Sequence, residues 1–271
     1  MSATSTERVY FIMELNFDTS IITNYHSGSQ IARVVTEKWV ADNMFCPRCG
    51  RKHIKQFPNN KPVADFYCPD CQNQFELKSK NGSIGRKIND GAYDTMIQRI
   101  TSNKNPDFFF MSYSKCELAV SDLLFIPKYF FVPDIIEKRK PLADTARRAG
   151  WVGCNILIDK IPEQGRISII TNGVVAQIDD VVNKVNKSKA LEKKEIDARG
   201  WLMDVLHCVN QISSPVFTLC DMYAFENYLF LKHPQNNNVK PKIRQQLQLL
   251  RDKGFITFLG NGKYKKCDSV K

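Results

Sequence analysis

Eighteen residues separate two Cys-x2-Cys pairs, Cys46-Pro-Arg-Cys49 and Cys68-Pro-Asp-Cys71, and no other feature restricts the fold of this chain as much. Each pair can present two thiolates along one edge of a tetrahedron. Together they read as a closed four-cysteine zinc ribbon over residues 46–71, with Gly50 suited to the tight turn after the first pair. Four protein ligands leave no open position for a substrate, so this metal is expected to staple structure. Nine cysteines are an odd number, and the opening Met-Ser-Ala-Thr-Ser-Thr-Glu-Arg lacks the apolar run of a secretory signal. A disulfide framework is therefore not expected, and a cytoplasmic location is.

The second cysteine pair falls at the tip of a hairpin. Around it, residues 63–80 read Val-Ala-Asp-Phe-Tyr-Cys-Pro-Asp-Cys-Gln-Asn-Gln-Phe-Glu-Leu-Lys-Ser-Lys. Gln74, Glu76 and Lys78 alternate with Phe75 and Leu77, the two-residue period of a strand, so Glu76 and Lys78 share a face and Leu77 turns to the core. Asp65 lies in a second strand-forming run, with the cysteine tip midway between it and Glu76. A hairpin there brings the two carboxylates together. Adjacent carboxylates repel, so a fold that keeps both ionised places a cation between them, and a few hard oxygen donors suit magnesium. Lys78 then stands where it can hold or deprotonate a water aimed at a phosphate. The spacing alone also fits an exposed ion pair on a solvated face.

Asp-x10-Glu-Leu-Lys resembles the PD-(D/E)xK nuclease signature, with Ala64 where the family's proline often stands. With the cysteine pairs, Asn-Asp-Gly-Ala-Tyr at 89–93 and Lys-Pro-Leu-Ala-Asp-Thr-Ala-Arg-Arg-Ala-Gly-Trp at 140–151, the chain resembles the methyl-directed type II restriction endonucleases of the DpnI type. The resemblance runs over residues 13–266, residues 1–12 being an extension outside it. It implies an α/β (α+β) fold: a PD-(D/E)xK core with a mixed sheet flanked by helices and the zinc ribbon over 1–188, then a winged-helix DNA-binding domain over 189–271. It also implies magnesium held by Asp65, Glu76 and the Leu77 carbonyl, with Lys78 acting on the water. The implied activity is cleavage of double-stranded DNA at G-A-T-C sites carrying 6-methyladenine, by a monomer that cuts the strands in turn.

Along the rest of the chain, residues 27–43 predict an opening helix, with Ile31, Val34, Val35, Trp39 and Val40 at helical spacing and Glu37 as a candidate further carboxylate. Residues 89–101 predict a second helix that turns Tyr93, Met96, Ile97 and Ile100 inward. Residues 108–111 and 123–126 read as buried strands, and the aromatic run 129–132 as core. Arg147, Arg148, Gly150 and Trp151 read as a loop made to meet nucleic acid. Arginine pairs bidentately with phosphate or guanine, and an indole stacks on or wedges between bases. Residue types alone also allow a buried Trp151 with both arginines paired to acids.

A net charge of +11 favours a polyanionic partner, and from Val239 onward nine Lys or Arg face only two Asp. This last part predicts three helices and a hairpin, the outline of a winged helix. Its third helix, 239–253, is read with Ile243, Leu247, Leu249 and Leu250 inward. Lys240, Lys242, Arg244, Gln245, Gln246 and Gln248 are read as largely outward, and Gly254 ends the helix. Arg244 and the glutamines carry the donors and acceptors for base edges in a major groove, while Lys263, Lys265 and Lys266, with Tyr264 between them, are candidates for phosphate contact. His207 and His233 are read as surface or packing residues. Two functions remain open: a magnesium-dependent endonuclease, or a zinc-ribbon and winged-helix DNA-binding regulator without chemistry. A regulator has no need for a carboxylate pair that repels DNA phosphate.

Overall fold

The computed structural model describes residues 13–22, 25–58, 64–102 and 105–267. The expected extension over residues 1–12, and Val63 at the head of the hairpin run, lie outside the described residues. Helix α1 (Gly28–Asn43) starts after Ser27 and buries Val35, Thr36, Trp39 and Val40. There follow β1 (Lys55–Gln56), β2 (Phe66–Tyr67), β3 (Gln74–Asn81), β4 (Lys87–Ala92), α2 (Tyr93–Thr101), β5 (Asp107–Ser114), β6 (Ala119–Ile126), β7 (Ile136–Lys138), β8 (Gly153–Leu157), β9 (Ile167–Thr171), β10 (Val174–Val175) and α3 (Ile178–Lys189).

The main sheet runs β1-β2-β3-β5-β6-β9-β10. Only β3 and β5 are parallel. Parallel neighbours need a crossover, and β4 with α2 supplies it. Residues 108–111 are buried on both sides, and strand alternation divides them. Phe108 and Phe110 pack with Met96, Ile100 and Phe131, whereas Phe109 and Met111 pack with Trp39, Phe75 and Phe125. Each ring so buried contributes about 2 kcal/mol, which makes this strand the keel of the sheet. Asn172 and Gly173, at φ 48° and 76°, close the β9–β10 hairpin in the left-handed turn that matches strand twist.

One expectation fails with consequence. Residues 89–92 are not the first turn of a helix: they belong to β4, which pairs with β8 in a second sheet ordered β4-β8-β7, and α2 begins only at Tyr93. Tertiary pairing with Gly153–Leu157 overrides the local helical pattern.

The last part forms α4 (Ile196–Gln211), β11 (Val216–Thr218), α5 (Leu219–Tyr223), α6 (Glu226–Lys232), α7 (Val239–Asp252), β12 (Ile256–Gly260) and β13 (Lys263–Lys266), with its sheet ordered β11-β13-β12. Thr218 caps α5 in a capping box with Asp221. The expected second helix breaks at Phe225 into α5 and α6, and β11 is an addition to the expected hairpin. The outline is that of a winged helix, and the whole is the expected α+β architecture.

The boundary placed after residue 188 falls on the last turn of α3, and the chain passes to α4 through residues 190–195. Both parts share a continuous core in which Phe108, Phe131 and Ile158 join Leu202, Leu206 and Leu247. Polar ties cross the same junction: Arg199 donates to the carbonyls of Ile100 and Phe131, Asn210 to Gln164 at 2.9 Å, and Lys232 pairs with Asp134 at 3.0 Å. Among the described residues, no helix is long and apolar enough to cross a membrane.

Candidate active site

The four cysteines of the ribbon converge. Cys46 Sγ lies 3.6 Å from Cys71 Sγ, Cys49 Sγ lies 3.6 Å from Cys68 Sγ, and all four sulfurs fall within 4.8 Å of one another. A tetrahedral thiolate site with metal–sulfur bonds of about 2.3 Å has edges of about 3.8 Å, so the cluster is close enough to hold a metal. The two knuckles repeat one turn. Cys46 N–H donates to the Arg51 carbonyl and Gly50 N–H to that of Cys46, as Cys68 N–H donates to Asn73 and Gln72 N–H to Cys68. The fourth step is left-handed in both, at Gly50 (φ 79°) and at Gln72 (φ 58°). The glutamine adopts it at a cost of about 1 kcal/mol. Arg48, inside the first knuckle, makes a bidentate pair with buried Asp107 at the head of β5, at 2.8 and 2.6 Å, and lies over the Tyr129 ring. The ribbon is thereby pinned to the sheet.

The other end of the same hairpin carries the carboxylates. In the β2–β3 register Phe66 pairs with Phe75 and Tyr67 with Gln74, and Asp65, expected inside the strand, sits instead in the bend just before β2. Asp65 N–H donates to the Phe75 carbonyl at 3.0 Å, and its side-chain Oδ2 accepts from Leu77 N–H at 2.8 Å. The N–H and C=O of one strand residue point to the same side. Leu77 therefore turns its carbonyl towards the Asp65 edge as well.

Glu76 and Lys78 share the opposite side of β3 from Leu77 and Ser79, as the alternation predicts. Glu76 Oε1 meets Lys78 Nζ at 2.6 Å, and its Oε2 pairs with Arg99 of α2. Lys78 Nζ also pairs with Asp90 of β4. Burial pushes the Glu76 carboxyl above its usual range, against the pull of Lys78 and Arg99. Burial would lower the Lys78 ammonium, but Glu76 and then Asp90 outweigh it and hold the group above its ordinary pKa. Lys78 is thus a standing cation in this arrangement.

On the α1 side, Glu37 accepts from Gln56 Nε2 at 2.9 Å and lines a cavity of about 240 Å³ with Arg33, Thr36, Leu77, Ser79 and Tyr113. Desolvation first, and then the charge of Asp65, raise the Glu37 carboxyl. Asp65 thus stands beside Glu37 and on the Leu77 amide, next along β3 from Glu76. The Asp65 and Glu76 carboxylates and the Leu77 carbonyl are oxygen donors of the hard kind that magnesium takes. Asp90 and Arg99 were not found from the sequence. Asp90 was read as part of a helix start, and Arg99 carries no motif.

The loop between β7 and β8 is closed by Arg139 N–H to the Gly153 carbonyl, Leu142 N–H to Trp151 and Gly150 N–H to Leu142, with Gly150 at φ 74°. Arg147 and Arg148 are exposed, and Trp151 is half-buried. The Arg148 guanidinium lies 4.5 Å from the Trp151 ring centre. The indole rests on Gly153, where an added Cβ would stand 2.8 Å from the ring, so the glycine is required for this stacking.

On α7, Lys240, Arg244, Gln245 and Gln248 face solvent, and Lys242 is half-buried beside Trp201. Lys240 pairs with Glu226 at 3.2 Å. On β13, Lys263 and Lys265 are exposed. Three expectations are corrected. Gln246 is 3 % exposed, on the inward stripe with Ile243, Leu247 and Leu250, and cannot meet a base edge. Tyr264 is buried between Phe217 and Phe258 because alternation turns it inward between its two lysines. Lys266 donates Nζ to the Ile212 carbonyl just past the end of α4, where burial lowers its pKa, so it is not free for phosphate. His233 stacks on Trp201 and meets Asp204 at 2.9 Å, and His207 meets Gln211, both as packing residues.

Two family models match the sequence. One, the DpnI model described as the Dam-replacing family, covers residues 13–194, and the other, described as the Dam-replacing HTH domain, covers residues 197–266.

Proposed function

The chain belongs to the Dam-replacing family, and from that premise we propose that it is a methylation-dependent restriction endonuclease. In this reading it hydrolyses phosphodiester bonds of double-stranded DNA at G-A-T-C sites carrying 6-methyladenine. The observation that carries the reading is the Asp65 carboxylate seated on the Leu77 amide, between Glu76 and Lys78 on one hairpin. Asp65, Glu76 and the Leu77 carbonyl would hold magnesium, and Cys46, Cys49, Cys68 and Cys71 would hold zinc. Magnesium would supply Lewis-acid polarisation of the scissile phosphate.

The chain's own groups do the rest. Lys78, a cation between Glu76 and Asp90, orients the attacking water by donating to it and offsets charge gathering on the phosphate oxygens. Arg99 pairs with the buried Glu76 and offsets part of the burial that raises its carboxyl. The cysteine ribbon closes the hairpin tip, so that β2 and Asp65 stay in register with β3. Arg147, Arg148 and Trp151 meet the duplex from the catalytic part. Lys240, Lys242, Arg244 and Gln245 of α7 read the groove, and Lys263 and Lys265 hold phosphates.

The test is incubation of fully methylated and unmethylated plasmid with magnesium or with a chelator. Cutting of methylated plasmid alone, and only with magnesium, is expected. Intact methylated plasmid in every lane would leave a DNA-binding regulator.

A further inference from the structure

Lys78 Nζ is held by two carboxylates that come from different sheets. Glu76 lies two residues away on its own strand at 2.6 Å, whereas Asp90 reaches in from β4. Asp90 is placed with care by its backbone. It pairs with Cys154 of β8 beside a register shift between Asp90 and Ala92, and such a bulge re-aims a side chain. Its Oδ1 also accepts from Gly91 N–H at 2.7 Å, which fixes its rotamer. The Asp90 and Glu76 side chains are each 10 % exposed and that of Lys78 18 %. Asp90 balances a network in which Glu76 already meets both Lys78 and Arg99. Yet ion pairs this buried add little net stability over apolar groups of the same size, so stability alone does not explain why the network is kept.

Resting on the nuclease reading above, we propose that Asp90 is a positioning residue. It shares the Lys78 ammonium with Glu76, so that when a cation takes the glutamate the lysine keeps a second anion and stays in place. Without Asp90, Lys78 has Glu76 as its one anionic neighbour in this network. Its whole charge then falls on that carboxylate, where it competes harder with whatever cation Asp65 and Glu76 bind. With a cation already seated on Glu76, Asp90 is the anion left to keep Lys78 from swinging into solvent.

The proposal makes Asp90 and Lys78 a coupled pair, which a double-mutant cycle on the full chain measures without any cleavage. Magnesium affinity is read by calorimetry in Asp90→Asn, Lys78→Met and the double variant, with melting curves to show that each folds. The expected result is that Asp90→Asn weakens magnesium on the order of tenfold, whereas in the Lys78→Met background the same change has no effect. Equal weakening in both backgrounds would make Asp90 a ligand and overturn the proposal, as would no weakening in either. A second readout is single-turnover cleavage of a methylated duplex. Asp90→Asn is expected to slow it 10- to 100-fold with duplex affinity unchanged, and Asp90→Glu to restore most of the rate. A glutamate variant as slow as the asparagine one would also count against positioning. If the unaltered chain cuts nothing, the nuclease reading falls, and the magnesium cycle still judges Asp90.

Discussion

Glu76, Lys78, Asp90 and Arg99 face one another with little water between them, whereas Lys240, Arg244, Gln245, Lys263 and Lys265 stand out from α7 and β13 into solvent. In the first group each charge is fixed by another charge from a different element, and any one removed leaves a buried ion unmatched. In the second, the side chains are exposed and those that have partners meet them at the surface, as Lys240 meets Glu226 and Arg244 meets Tyr223. Desolvated charge makes chemistry possible and tolerates no loss; solvated charge makes binding adjustable and loses strength in increments.

The comparison is tested hardest at the ribbon. Cys68→Ser, or stripping the cysteine-held metal with a strong chelator, is expected to abolish cutting while the winged helix retains duplex affinity in a gel shift. A metal on these four sulfurs would close the strand pair beside which Asp65 sits. A variant that still cuts at even a tenth of the rate would detach ribbon from chemistry. Next, Glu76→Gln or Lys78→Ala is expected to lower the single-turnover rate by roughly 10² to 10⁴ with duplex affinity nearly unchanged. An equal loss of affinity would place these groups in binding.

On the open face the effects shrink. Arg244→Ala is expected to cost about 1–3 kcal/mol of discrimination between the site and a one-base variant. Lys263→Ala or Lys265→Ala should instead weaken all sequences alike and reduce the salt slope by about one per lysine. The smallest change sharpens the line between the two regions within one helix. Gln246→Leu is expected to leave DNA affinity untouched and to hold or raise the melting temperature, because its buried Oε1 has no hydrogen-bond partner in the protein.

What the sequence disclosed follows the same division. The hairpin was legible because alternation and cysteine spacing act over a few residues, and the winged helix because its caps and periodicity are local. Asp90 was hidden because strand β4 runs without a break into α2, so that one apolar rhythm covers two elements. Arg99 could not be assigned, since its partner lies across a crossover on another strand. Gln246 and Tyr264 were misplaced by residue type, although the stripe through Ile243 and Leu250 and the alternation of β13 already assign them inward. Lys266 turned on a carbonyl contributed by a distant helix end, which no spacing encodes.

The apolar interior that passes without a seam from the sheet into α4 and α7 has an implication for taking the molecule apart. Severed in residues 190–195, neither fragment would be a finished object. Each would carry a raw hydrophobic wall where the other had been, and would clump or seek a substitute. The two parts are cast in one piece, so the winged helix cannot be transplanted as it stands.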